Sequence, residues 1–165
     1  MRRGSKEALN CDHSSIFQRL VVRIAKLTEL YSNRSNRSIE EQDSDVERYH
    51  IIMINVERLW QEYQTEAEPQ DQALLWNEHD GIAYRNEFTA LSIAYFDTAR
   101  ILLSTVAVEL FGYIPDMTIQ HASILSCASF LQWKRIGCAY MRVTLPLHLV
   151  ALYLPLFSVN LFNVN

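Results

Sequence analysis

Between residue 91 and residue 165 the sequence carries only seven charged side chains, three acids and four bases. A stretch of that length so poor in charge must be covered by protein or lipid, because uncovered apolar surface on that scale drives association. The remaining charge falls into two blocks: residues 1–37 balance to +5 and residues 38–90 to −10. The first half of the chain is therefore the natural solvated cover for the second. At 165 residues the length suits one domain with a single core. Four Gly and four Pro in a chain that is 49% hydrophobic argue against disorder and against a turn-rich β-sandwich. Cys11, Cys127 and Cys138 cannot pair evenly and have no C-x-x-C spacing, so neither a disulfide framework nor a structural zinc site is expected, and the compartment is a reducing one.

The apolar positions recur with helical period. From an N-cap at Ser14 or Ser15, Ile16, Leu20, Ile24, Leu27 and Tyr31 share one face of a helix whose other face shows Arg19, Arg23 and Lys26. A Ser-Asn-Arg repeat forms a solvated loop near 32–43, and Ser44 or Asp45 caps a second helix carrying Val46, Tyr49, Met53, Val56, Trp60 and Tyr63. Ile51, Ile52, Ile54 and Leu59 widen its apolar surface, which predicts packing between two neighbours. Asp71 to Trp76 reads as a short helical turn, followed by an acidic loop near 77–86. Asn86 caps a long helix through Phe88, Leu91, Tyr95, Thr98, Leu102, Val106 and Leu110, with a narrow polar stripe of Asp97, Arg100 and Ser104 and a left-handed terminator at Gly112. This is the predicted central helix. Asp116 or Thr118 starts a further helix through Ile119, Ile124, Leu125, Ala128 and Leu131, and a last one lies around Pro146 to Tyr153 with the proline in its first turn. The expected fold is all-α, an irregular array of about five or six helices over residues 14–155, between a polar tail at 1–13 and an apolar tail at 156–165.

Little in the sequence carries chemistry. The five histidines lack the i, i+4 spacing that brings two imidazoles to one metal, and no second cluster completes a site with Cys11-Asp12-His13, so no metal and no cofactor are expected. Glu78-His79-Asp80 has the residue types of an acid–base pair but reads as an exposed acidic loop. No phosphate-binding glycine loop or activated nucleophile is present, and the chain is read as non-enzymatic. Arg19, Arg23 and Lys26 could make weak phosphate contacts, without a module that reads base edges, so no sequence-specific DNA binding is expected from this chain alone. Trp60, Tyr63, Tyr95 and Phe96, on faces predicted to turn inward, are either plain core or the lining of a pocket for an apolar effector. Residues 1–15 have no apolar signal region, so the two Asn-Arg-Ser sequons at Asn33 and Asn36 are read as accidental. The apolar segment 143–159, broken by Pro146 and Pro155, reads as a buried core helix and alternatively as a membrane-associated element.

Phe88 to Leu103 (FTALSIAYFDTARILL) resembles a helix in the regulatory region of fungal zinc-cluster transcription factors. Ile124 to Ala128, Gly137 to Arg142 and Leu145 to Ala151 look like its later part, where a helix precedes an apolar Pro-Leu segment, and Trp60-Gln61-Glu62-Tyr63 sits where such proteins often carry a tryptophan ahead of an acidic linker. The likeness spans roughly residues 45–155. It implies a regulatory or protein-interaction module of a nuclear protein, or otherwise a cytoplasmic one, whose partners are the transcription machinery or a paralogue. The six-cysteine zinc cluster of that family has no counterpart here, since Cys11 stands alone. Family members continue with further helices where this chain reaches Asn165, so by this comparison it reads as a truncated paralogue, a fragment of a larger helical domain or an imperfect gene model, and self-association through uncovered helix faces is expected.

Overall fold

The computed structural model describes residues 15–33, 39–67, 75–77, 81–112, 116–133, 141–149 and 151–152. The fold is all-α, with five helices among the described residues: α1 Ile16–Ser32, α2 Ile39–Ala67, α3 Glu87–Phe111, α4 Thr118–Trp133 and α5 over residues 141–149 and 151–152. A small antiparallel hairpin of β1, Leu75–Asn77, and β2, Gly81–Ala83, pairs Leu75 with Ala83 and Asn77 with Gly81. It replaces the helical turn expected at Asp71 to Trp76, of which residues 71–74 lie outside the described residues. Three residues are too few to distinguish a period of 2 from one of 3.6, so pairing across the acidic loop decides the outcome.

The chain divides into two compact units, one from Met1–Asp71 with Ala99–Pro115 and one from Gln72–Thr98 with Asp116–Asn165. In the first, Ser15 opens α1 with a capping box: its Oγ accepts the Gln18 N–H at 3.3 Å, and Gln18 Oε1 accepts the Ser15 N–H at 3.1 Å. The buried face is Ile16, Leu20, Ile24, Leu27 and Leu30, so Leu30 takes the place expected of Tyr31, which is half-buried. The second helix starts at Ile39, not at Ser44 or Asp45. Glu41 and Asp43 favour that earlier start because carboxylates are stabilised near a helix N-terminus. Asp45 is buried within the helix and accepts from Arg48 at 3.3 Å. Asp45, Tyr49, Ile52, Val56 and Leu59 form the buried seam, alternating four and three residues apart. Met53, expected in that seam, faces outward, and Ile51 and Ile54 are 52% and 63% exposed. The α2 helix packs against α1, and its Tyr49 and His50 rings meet the ring of Phe111, the last residue of α3.

The third helix gives its residues through Thr98 to the second unit and those from Ala99 to the first. Asn86 caps it, its Oδ1 accepting the Thr89 N–H at 2.8 Å and the Thr89 hydroxyl at 3.0 Å, and Gly112 ends it at φ +70°. Nearly every residue from Thr89 to Ala107 is buried, while Phe88, expected on the apolar stripe, is exposed. Even the narrow polar stripe is covered: Asp97 and Ser104 are buried and Arg100 is half-buried. Hydroxyls enter this apolar helix because they bond back onto it, Thr98 donating to Ala94 O at 2.7 Å and Thr105 to Ile101 O at 2.8 Å. Among the described residues this is the helix long and apolar enough to cross a membrane, and most of that stretch is buried.

In the second unit Asp116 Oδ1 accepts the Thr118 N–H at 2.9 Å at the start of α4. That helix buries His121, Ile124, Cys127, Ala128 and Leu131, whereas Ile119 and Leu125, both read as part of its apolar period, are exposed. The last helix contains Pro146 well inside its described span, not in its first turn. An internal proline removes the N–H that would bond the carbonyl four residues back, here that of Arg142. The Tyr95 hydroxyl donates to that carbonyl at 3.0 Å. A side chain of α3 thus replaces the missing backbone donor, which is why a proline can sit inside this helix.

Candidate functional site

The four aromatic residues singled out from the sequence fall into two groups. Trp60 and Tyr63, in the first unit, are half-buried and stack with ring centroids 5.9 Å apart. The Arg100 guanidinium lies 4.6 Å from the centre of the Trp60 ring, a cation–π contact. Tyr95 and Phe96, in the second unit, are buried, with Phe96 at 1% exposure. Tyr95 does a structural task for α5, and burial raises its phenol above the ordinary value. Phe96 is core.

The basic residues of α1 also differ in their surroundings. Arg19 donates to both oxygens of Glu62 on α2, through Nη1 at 3.0 Å and through Nη2. This pair holds the Glu62 carboxyl below the usual carboxylate range, chiefly through the Arg19 hydrogen bond. Arg23 is half-buried, and burial first, then the charges of Arg58 and Arg19, lower its pKa. Lys26 is exposed. Only part of the stripe therefore faces solvent.

A buried polar group that sequence reasoning missed lies in the second unit around Cys127. Tyr84 packs edge-on against Phe130 at 5.3 Å, and Tyr84, Asp97 and Cys127 are all buried. Burial, reinforced by the nearby Asp97 charge, pushes the Cys127 thiol from 9.0 up to about 12, against the opposing effect of hydrogen bonds with Tyr84 and Ser123. A thiol in that state stays protonated at neutral pH and is a poor nucleophile. We expect Cys127 in the native chain to resist alkylation at pH 8 and to react on denaturation, as peptide mass spectrometry would show. Its raised folded-state pKa gives a stabilising contribution that is whole below about pH 9 and is lost as pH rises toward 12. Urea melts of Cys127→Ala should lose part of that alkaline decline. Native labelling equal to denatured labelling would contradict this account.

No group of His, Cys, Asp and Glu able to hold a metal occurs among the described residues. The Glu78-His79-Asp80 loop lies outside them, as do Cys11, Cys138 and residues 153–159 of the apolar C-terminal segment.

What remains is surface. From Thr118 to Trp133, α4 contains no Asp, Glu, Lys or Arg, and its outer side presents Ile119 at 79%, Leu125 at 49% and Trp133 at 75% exposure. Ala122 and Ser129 are also exposed between them. Their spacing of three and four residues places all five on one face. On α5, Met141, Leu145 and Leu152 are exposed at a similar spacing. Faces of this kind are what a helical module offers to a partner helix. No family model, curated protein or solved structure matches the chain.

Proposed function

We propose that this chain is a non-enzymatic regulatory or protein-interaction domain that acts through the outer face of α4. The observation that carries the reading is a 16-residue helix without a charged side chain whose exposed positions include Ile119, Leu125 and Trp133. Large apolar side chains left in water on one face favour a partner that covers them. The resemblance of Phe88 to Leu103 to the regulatory region of fungal zinc-cluster transcription factors supports placing this activity in transcription regulation in the nucleus, with partners in the transcription machinery or a paralogue. DNA reading is left to other modules.

Size-exclusion chromatography with light scattering tests the proposal. The wild-type chain is expected to associate, and Leu125→Lys with Trp133→Glu to give a monomer with unchanged helical content. A sharp wild-type monomer whose mass and partner capture the double variant does not alter would defeat it.

A second reading, association with a membrane through the apolar segment 143–159, is favoured by the exposed Leu145 and Leu152 on α5. Alkaline extraction separates the two. A peripheral chain is released, and an integral one stays in the pellet.

A further inference from the structure

The outer face of α4 has a relief as well as a lack of charge. Along it the exposed residues run large, small, large, small, large: Ile119, Ala122, Leu125, Ser129 and Trp133. Each small residue leaves a recess between two large ones. Ser129 can be covered without stranding its hydroxyl, because its Oγ donates back to the Leu125 carbonyl at 2.9 Å.

Whatever covers such a face must itself be uncharged, since a charged side chain laid against it would lose its hydration and find no counter-ion. The other described helices all carry charge: Arg19 and Lys26 on α1, Glu57 and Arg58 on α2, Asp97 and Arg100 on α3, Arg142 on α5. Among the described helices α4 is the one without any. A second copy of α4 therefore meets the requirement, and it also fits in shape. Two such helices set antiparallel, with Leu125 of one copy level with Ser129 of the other, lay each leucine over a serine. The same register brings each Trp133 to a level between Ile119 and Ala122 of the other copy, with its ring over the recess at Ala122. It also sets the two helix dipoles head to tail. In a parallel pair Trp133 meets Trp133 and Leu125 meets Leu125, and these bulky pairs hold the small residues apart.

We infer that the occupant of this face is a second copy of the chain, docked through an antiparallel α4 pair with Leu125 against Ser129, an inference that rests on α4 being the interaction face. The contact uses the same patch on both copies, so it closes at two. A face about 24 Å long and about 10 Å wide is smaller than the about 800 Å² per partner of a standard interface. The dimer is accordingly weak and forms in the range of about 10 µM to about 1 mM.

Sedimentation equilibrium of the full chain across that range tests it, with circular dichroism to check the helical content of each variant. The wild type is expected to pass from monomer to dimer and no further. Ser129→Leu enlarges the apolar surface, yet it should weaken the dimer by about tenfold or more, because the added side chain collides with Leu125 of the other copy. Ala122→Phe, beneath Trp133, should do the same. Leu125→Ser should also weaken the dimer, and Leu125→Ser combined with Ser129→Leu should restore most of it, since large again meets small. Unspecific adhesion gives the opposite order, with Ser129→Leu and Ala122→Phe the most associated chains. The inference is overturned by that opposite order, by a wild type that stays monomeric to about 1 mM or runs on to higher oligomers, or by a combined variant no stronger than its single parents. Leu125→Lys with Trp133→Glu tells its failure from that of the α4 face. A monomeric wild type that captures a partner which this double variant loses removes only the second copy as occupant. A double variant equal to the wild type in both mass and capture removes the face itself.

Discussion

Replacing Leu102 by alanine is expected to destabilise the fold by about 2–5 kcal/mol, the range for truncating a core leucine whose surroundings cannot close over the gap. Leu102 is 1% exposed on α3, with Ile101 and Val106 buried near it on the same helix. Ile54→Ala on the outer side of α2 should change stability by less than about 0.5 kcal/mol, since an exposed side chain leaves no cavity behind. Urea denaturation of both variants, followed by circular dichroism, checks the pair. A Leu102→Ala cost below about 1 kcal/mol would mean that this part of α3 is loosely packed.

Tyr95→Phe is expected to cost about 1–2 kcal/mol, more than an ordinary hydroxyl deletion, because the Arg142 carbonyl then has neither the tyrosine nor a backbone N–H. Attribution to the proline follows from a double-mutant cycle with Pro146→Ala. Alanine at 146 restores an N–H that can reach Arg142 O, so in that background Tyr95→Phe should cost less than about half as much. Equal costs in both backgrounds would separate the hydroxyl from the proline. The absolute effect of Pro146→Ala also includes loss of a fully buried ring, and for this reason the difference between backgrounds is the quantity to measure.

The helix ends and spans were legible where a local rule governs them. Ser15, Asn86 and Gly112 each mark a terminus through a side-chain or backbone property that neighbours in space do not alter. The start of α2 was not legible from its apolar period, because the turns before Asp45 are acidic and are favoured by the helix dipole instead. Periodicity identified α2 and placed Tyr49 and Val56 in its seam, but gave Val46, Met53 and Trp60 where Asp45, Ile52 and Leu59 are buried, since a run containing Ile51, Ile52, Met53 and Ile54 offers an apolar side chain at every angle. The narrow polar stripe of α3 marked it as the central helix, and in a helix covered on nearly all sides even Asp97 and Ser104 are buried. The aromatic set could not be sorted from sequence. What distinguishes Tyr95 from Trp60 is a carbonyl 47 residues away that a proline has left without its donor. The nearness of Arg58 to Arg23 was equally hidden, because it depends on how two helices pack, although the stripe of Arg19, Arg23 and Lys26 marked half of it.

The partition of α3 between the units bears on synthesis and on the cutting of this protein into pieces. Each unit is assembled from two stretches of sequence separated by a stretch of the other, with changes of allegiance at residues 71, 98 and 115. During translation the ribosome cannot finish the first unit until residues 99–115 have emerged, by which time the opening stretch of the second is already outside. Neither unit can therefore complete its folding while the other is wholly unsynthesised. No single cleavage point releases either unit intact, and one of the three crossings, at Thr98, lies in the middle of a helix. Expression as separate halves should yield fragments that recover structure only on mixing, and a protease given the native chain should find its first productive cuts outside α3.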